Sequence, residues 1–293
     1  MKKQLFSGAA TALITPFKED GALDIDGLGH LIEFQIENGI HAIVLSGTTG
    51  EGSTLCFEEF STLIEKGSEF IHGRVPLIAG SGSNNTRKAI ELSQEANKRG
   101  ADALLLVTPY YNKTTQEGLI QHYNEILDNV NIPTILYNVP TRTGLSIEPK
   151  TVRILAEHPN VIGLKEASGD ISKTADFLVY VPEIPLYSGN DDQTLPVLSL
   201  GGAGVISVLS NIAPQEVQRI CTLFEQGKTI KAAQLQLKLL PLVRALFNQV
   251  NPIPIKCAMK ILGLPGGEPR LPLVSCDEQN KKTIEKAIIE AGI

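Results

Sequence analysis

Eight short apolar runs recur along the chain, and a segment with helical periodicity follows nearly every one. Most of the runs are continuously apolar rather than alternating, as expected for strands covered on both faces. They lie at 9–14, 41–45, 75–79, 101–107, 132–137, 161–165, 184–188 and 204–208. This regular alternation predicts an α/β fold, a (β/α)8 TIM barrel, rather than a two-domain doubly wound sheet.

The pattern changes after about residue 227, where the remaining sequence is predicted to be helical. We therefore predict a catalytic barrel over residues 1–227 and a helical C-terminal extension over residues 228–293. Pro241 lies inside the first helical segment of the extension and is expected to bend it. The barrel helix with the weakest signal is the seventh, near 194–202, where only a short helix is predicted.

Composition and charge exclude several classes of function. A net charge of −6 leaves no basic surface for nucleic acid or an anionic membrane. The four cysteines share no CxxC spacing, which favours reduced thiols in a cytoplasmic protein over a disulfide framework or a zinc site. No apolar stretch is long enough to span a bilayer. The start of the chain faintly resembles a signal peptide, but residues 11–17, TALITPF, favour a first strand over secretion.

Lys165 directly follows the apolar run 161–164. A buried ammonium is costly unless it is paired or loses its proton. At the C-terminal end of a barrel strand the side chain would enter the mouth, where catalytic groups of such barrels lie. A poorly solvated amine there would attack a carbonyl carbon and form a Schiff base. The alternative is a structural lysine paired with Glu166 or Asp170.

A Schiff-base site needs partners, and the other strand ends offer them. Tyr137 closes the fifth run and could relay protons. The segment 47–51, GTTGE, offers backbone N–H groups for a carboxylate, and Arg142 offers a cation for a second acidic substrate. Each has a structural alternative: a core tyrosine, turn residues at Thr48 and Thr49, and a surface arginine.

Other polar residues are interpreted structurally. The five histidines form no HxH or HxxxH pair, so a metal site is not expected. Glu51 is interpreted as a partner for backbone donors rather than a catalytic acid. The acidic turn Asn190-Asp191-Asp192 after the seventh run has no assigned role and is expected to be solvated.

Seven motifs, in this order along nearly the whole chain, resemble one known family. They are GTTGE, TPYYNK, YNVPTRTG, KEASGD, SGNDD, GVISV and NPIPIK. Their combination resembles the pyruvate-dependent Schiff-base lyases of the N-acetylneuraminate lyase superfamily, and more narrowly its dihydrodipicolinate synthase family. The resemblance implies a TIM barrel that needs no cofactor and no metal.

The resemblance also implies roles for the residues that carry the chemistry. Lys165 would form the Schiff base with pyruvate. Tyr137, Thr48 and Tyr111 would form the proton relay, with Tyr111 reaching into the site of a neighbouring subunit. A shared tyrosine implies a homo-oligomer, either a tetramer built as a dimer of dimers or a dimer.

The remaining implied roles concern substrate binding. The backbone of Thr48 and Thr49 would hold the pyruvate carboxylate. Arg142 would bind the carboxylate of L-aspartate 4-semialdehyde. The backbone carbonyls of Gly189 and Ile206 would line the pocket near the reactive lysine.

The resemblance implies condensation of pyruvate with L-aspartate 4-semialdehyde, in the biosynthesis of diaminopimelate and lysine. One alternative is a related pyruvate-dependent lyase acting on a 2-keto-3-deoxy sugar acid. The other is a binding or structural barrel whose lysine is only ion-paired. Arg142 and Tyr111 favour condensation of pyruvate with L-aspartate 4-semialdehyde over both alternatives.

One family pattern is absent. Family members inhibited by lysine bind it in a cleft between subunits, and Asn84 and Tyr110 match two of the residues there. Lys88 stands at the position of a glutamate, and Phe57 and Phe60 stand at positions of histidines. Because a cationic Lys88 repels the ammonium of lysine, weak or absent inhibition is predicted.

Overall fold

Eight parallel strands close into a barrel in the order of the chain in this computed structural model, which describes residues 4–293. The strands are β1 Gly8–Ala12, β2 Ala42–Leu45, β3 Leu77–Gly80, β4 Ala103–Val107, β5 Thr134–Asn138, β6 Val161–Glu166, β7 Leu186–Ser188 and β8 Gly204–Ser207. Each overlaps one of the eight apolar runs. The predicted TIM barrel is confirmed.

Helices connect the strands and cover the outside of the barrel. They are α1 Ile25–Glu37, α2 Phe57–Ile71, α3 Thr86–Lys98, α4 Gln116–Asp128, α5 Pro140–Thr143, α6 Pro149–Leu155, α7 Ile171–Tyr180, α8 Thr194–Ser199 and α9 Pro214–Glu225. Polar side chains cap several of them: Asp24 accepts from Gly27 N, and Asn85 accepts from Lys88 N. The seventh barrel helix, α8, is short, as the sequence predicts.

The C-terminal helices are α10 Thr229–Leu246, α11 Ile253–Ile261 and α12 Glu278–Ala291. Helix α10 continues through Pro241, and the expected bend stays a prediction. The division between 1–227 and 228–293 also stays a prediction, although the extension bonds directly to barrel loops: Gln236 Nε2 donates to Asp191 O at 2.9 Å. Within residues 4–293 no helix is both long and apolar enough to cross a membrane.

Two hydrophobic clusters build the core. The larger lies between the barrel and its helices, and the smaller fills the barrel and includes Ile135, Tyr137 and Ile206. A register shift at the start of β5 sets Tyr137 beside Lys165 on β6. The shift therefore places the lysine next to a residue of the inner cluster, near the C-terminal end of its strand.

Candidate active site

Lys165 lies near the end of β6 with only 6% of its surface exposed. Its Nζ lies 4.3 Å from the centroid of the Tyr137 ring. In the part of the chain that the structure describes, no ion pair includes this lysine. The Tyr137 ring contacts the amine, and the buried Asp191 carboxylate interacts with the Lys165 charge electrostatically without forming an ion pair.

Both acidic residues that could have paired with Lys165 are bonded elsewhere. Glu166 accepts hydrogen bonds from Asn138 Nδ2 and from Ser168 N, each at 2.6 Å. Asp170 caps α7, where its carboxylate accepts from backbone N–H groups of the first turn. Neither of the two ion pairs considered for Lys165, with Glu166 or with Asp170, is therefore present in the structure.

Gly189 gives the lysine room. A Cβ at this position would lie 3.0 Å from Lys165 Cε and 2.5 Å from Ala167 Cβ. The Gly189 N–H donates to Glu166 O at 2.7 Å, which holds the β7 end against β6. Ile206 is fully buried in the same inner cluster as Tyr137. The proposed roles of the Gly189 and Ile206 carbonyls stay predictions.

The loop after β2 has a strained backbone. Ser46 and Glu51 have φ angles of 56° and 52°, in the left-handed region that residues other than glycine rarely adopt. Gly52 packs so closely that a Cβ there would lie 2.2 Å from Ser46 O. Surrounding contacts must hold this conformation, because the isolated loop would not favour it.

The C-terminal extension supplies several of those contacts. Asn251 Nδ2 donates to Thr49 Oγ1 at 3.0 Å. Lys256 Nζ lies 2.6 Å from Glu51 Oε1 in an ion pair whose side chains are each 1% exposed. The Arg270 N–H donates to Glu51 Oε2 at 2.8 Å, in agreement with the structural role assigned to this glutamate. Burial lowers the pKa of Lys256, and the Glu51 carboxylate opposes that shift.

The sequence analysis assigned no role to Asn251, Lys256 or Arg270. Asn251 and Lys256 lie in the motif NPIPIK, which contributed to the family resemblance without an assigned role. A lysine in a predicted helix is normally exposed. The signal that could have identified Lys256 is its place in α11, where apolar residues lie on both sides of it.

A cavity of about 540 Å³ brings three of the predicted residues together. Thr48, Tyr137 and Arg142 all line it, from the loop after β2, the end of β5 and helix α5. Lys165 does not line this cavity and is joined to it through the Tyr137 ring. Within residues 4–293 no three His, Cys, Asp or Glu side chains are arranged to hold a metal ion.

Thr49 and Tyr111 are two further predicted residues that do not line the cavity. Thr49 is 2% exposed and its hydroxyl accepts the bond from Asn251. Tyr111 is 92% exposed, with a φ of 69° in the loop after β4, and does not line the cavity. Its place in the proton relay stays a prediction that requires a second chain.

The acidic turn after β7 corrects the sequence interpretation. Asp191 is 4% exposed rather than solvated, whereas Asn190 is half-buried and Asp192 is exposed. The Asp191 carboxylate accepts from Val208 N at 2.9 Å and Leu209 N at 3.0 Å, and from the Ser207 hydroxyl. Burial raises the pKa of Asp191, and these bonds oppose the increase. The turn therefore connects β7 to the end of β8.

Most of the residues compared with the lysine cleft line the same cavity. Phe57, Phe60, Lys88 and Tyr110 are among them. Asn84 is not, and its carbonyl accepts from Asn112 Nδ2 at 3.0 Å. Lys88 is exposed and carries its charge at the mouth.

The chain matches the model of the Dihydrodipicolinate synthetase family over residues 5–291. It is 52% identical over 289 residues to the 4-hydroxy-tetrahydrodipicolinate synthase of Caldicellulosiruptor bescii, covering 99% of this chain and 98% of that one. It is 51% identical over 286 residues to the enzyme of the same name from Clostridium tetani, covering 97% of both. The crystal structure of dihydrodipicolinate synthase from Thermotoga maritima is similar, with a TM-score of 0.96, 40% identity and 99% coverage of both chains.

Proposed function

Because the chain belongs to the dihydrodipicolinate synthetase family, we propose that it joins pyruvate to L-aspartate 4-semialdehyde through a Schiff base on Lys165. The activity is synthesis of 4-hydroxy-tetrahydrodipicolinate, a lyase-class reaction on the route to diaminopimelate and lysine. The observation that carries the role of Lys165 is its buried amine, outside every ion pair described in residues 4–293 and 4.3 Å from the ring centre of Tyr137.

The proposed chemistry starts at the amine. Lys165 attacks the keto carbon of pyruvate, water leaves, and the iminium nitrogen withdraws electrons from the neighbouring methyl group. Loss of a methyl proton gives an enamine, whose carbon attacks the aldehyde of the second substrate. The substrate's amine then attacks the imine carbon, which closes the ring and releases Lys165.

Tyr137 is the proposed proton carrier for these steps, because its ring contacts the amine and its side chain lines the cavity. Thr48 lines the same cavity and would pass protons on from Tyr137. The N–H groups of Thr48 and Thr49 are proposed to bind the pyruvate carboxylate. The Arg142 guanidinium would bind the carboxylate of the semialdehyde.

Arg142 also argues against a 2-keto-3-deoxy sugar acid as the second substrate. An uncharged sugar hydroxyl would leave a guanidinium at the cavity wall without a matching anion. The full-length relatives named above carry the synthase activity and support the same choice.

We further propose a homo-oligomer, a tetramer built as a dimer of dimers or a dimer. The support is Tyr111, whose 92% exposed side chain is available to a neighbouring copy. We also propose a cytoplasmic location, because all four cysteines are free thiols and thiols stay reduced in the cytoplasm.

Borohydride trapping tests the proposed mechanism. The protein is incubated with pyruvate, reduced, and examined by intact mass and peptide mapping. We expect a single reduced pyruvyl adduct on Lys165, because only an imine is reduced to a stable secondary amine. A folded protein without an adduct would contradict the Schiff-base role of Lys165.

A coupled assay separates the second substrates. Turnover is expected with L-aspartate 4-semialdehyde and pyruvate. Cleavage of a 2-keto-3-deoxy sugar acid at a comparable kcat/KM would overturn the assignment of the second substrate while leaving the Schiff base intact.

Lysine is expected to inhibit weakly or not at all. Lys88 presents a positive charge at the cavity mouth, and Phe57 and Phe60 offer no hydrogen-bond acceptors. Initial rates at increasing lysine concentration measure this directly. The variant Lys88→Glu is expected to increase any sensitivity, and a sub-millimolar inhibition curve for the unmodified protein would contradict the prediction.

A further inference from the structure

Asn251 touches both substrate-binding elements from within the C-terminal extension. Its Nδ2 donates to Thr49 Oγ1 at 3.0 Å, and its backbone carbonyl accepts from Arg142 Nη2 at 3.2 Å. We propose that Asn251 is a positioning residue that aligns the pyruvate-binding loop with the arginine that binds the second substrate. This inference rests on the proposed function.

The hydrogen bond between Asn251 and Thr49 is buried, so it can hold the loop after β2 in one conformation. Thr49 is 2% exposed and Asn251 is 5% exposed, so water does not compete for this hydrogen bond. The loop also contains Ser46 and Glu51 in left-handed conformations, which it keeps only while its anchors hold. Because the Thr49 N–H is proposed to bind the pyruvate carboxylate, anchoring the Thr49 side chain orients that N–H.

The amide of Asn251 is poorly explained by stability alone. Its Oδ1 is buried and has no hydrogen-bond partner within residues 4–293. A buried polar atom without a partner is unfavourable, so an apolar side chain would serve a purely structural purpose better. The side-chain amide of Asn251 therefore fits a role in orienting Thr49.

The two contacts respond differently to substitution. The bond to Thr49 comes from the side chain and is lost in Asn251→Ala. The bond from Arg142 goes to the backbone carbonyl, which every residue retains. Substitution is therefore expected to weaken pyruvate binding selectively and to leave semialdehyde binding nearly unchanged.

The experiment compares Asn251→Ala, Thr49→Val and the double variant with wild-type protein. Pyruvate affinity is taken from the concentration dependence of borohydride-trapped Lys165, and KM for both substrates comes from the coupled assay. We expect pyruvate affinity to fall about tenfold in each single variant, with the semialdehyde KM changing less than about threefold. The double variant is expected to match the single variants, because both remove the same bond.

Asn248→Ala is the matched control, since Asn248 is an exposed asparagine three positions earlier. It is expected to behave as wild type. If Asn251→Ala fails to fold, Asn251→Leu replaces it, because leucine has a similar size and cannot hydrogen-bond to Thr49. It too is expected to weaken pyruvate affinity selectively.

Several results would overturn the proposal. They are unchanged pyruvate affinity in the Asn251 variants, an equal loss for both substrates, or additive effects in the double variant. Absence of a trapped adduct in wild-type protein would instead refute the Schiff-base mechanism, and the positioning role with it. A normal wild-type adduct with unaltered variants refutes the positioning role alone.

Discussion

Lys165→Met is expected to lower kcat by about 10⁴-fold or more, because it removes the nucleophile on which every covalent step depends. Methionine retains most of the lysine stem, so packing against Tyr137 is preserved. The rate is measured by the coupled assay, and borohydride with pyruvate is expected to give no adduct. The circular dichroism spectrum should match that of the wild type.

Lys260→Met is the matched control for this change. Lys260 pairs with Glu268 at the surface, where their side chains are 76% and 54% exposed. It removes a lysine without touching the barrel mouth, and activity is expected to be unchanged. Residual turnover of Lys165→Met within tenfold of wild type would exclude a Schiff base at this residue.

Lys256→Met is expected to destabilise the protein by about 3–5 kcal/mol, because it leaves the Glu51 carboxylate buried without its cation. The substitution also removes the contact between Lys256 Nζ and the Phe17 ring, 4.2 Å from the ring centre. Urea unfolding of the purified protein measures the change in free energy of unfolding. The strained loop that carries Glu51 should loosen at the same time, so pyruvate affinity is expected to fall.

The same Lys260→Met control isolates the effect of burial. It lies one helical turn further along α11 and also breaks an ion pair, but an exposed one. Its effect is expected to stay within about 0.5 kcal/mol. Lys256→Met combined with Glu51→Gln should recover part of the lost stability by removing the unpaired charge. Equal losses at Lys256 and Lys260 would contradict the argument.

The fold could be predicted because its signals are local. Each strand appears as a short apolar run and each major barrel helix as a capped periodic segment, so neither needs information from distant residues. Parallel strand ends meet at one rim of a closed barrel. Lys165, Tyr137, Thr48 and Arg142 could therefore be placed together before any coordinates were known, and the structure places Thr48, Tyr137 and Arg142 around one cavity.

The burial of Asp191 and the absence of an ion pair at Lys165 depend on the environment of the side chain rather than on residue type. The sequence predicts that Asp191 is a solvated turn residue. In the structure its carboxylate is buried and is stabilised by hydrogen bonds from Ser207 and from the N–H groups that follow β8. Lys165 has two acidic neighbours in the sequence, Glu166 and Asp170. Only the structure shows that Glu166 accepts from Asn138 and that Asp170 accepts from backbone N–H groups of α7. An ionisable group's partners are set by packing, which residue order does not specify.

By itself the sequence determined the barrel, the residues at its rim and the chemistry that those residues favour, since all follow from local periodicity and strand topology. Only the tertiary structure decided how the rim is held in place. Asn251 reaches Thr49 across 202 positions of the chain, and Lys256 neutralises Glu51. Contacts at such separations depend on where the segment 251–256 packs after the chain has folded, and no local pattern encodes that position.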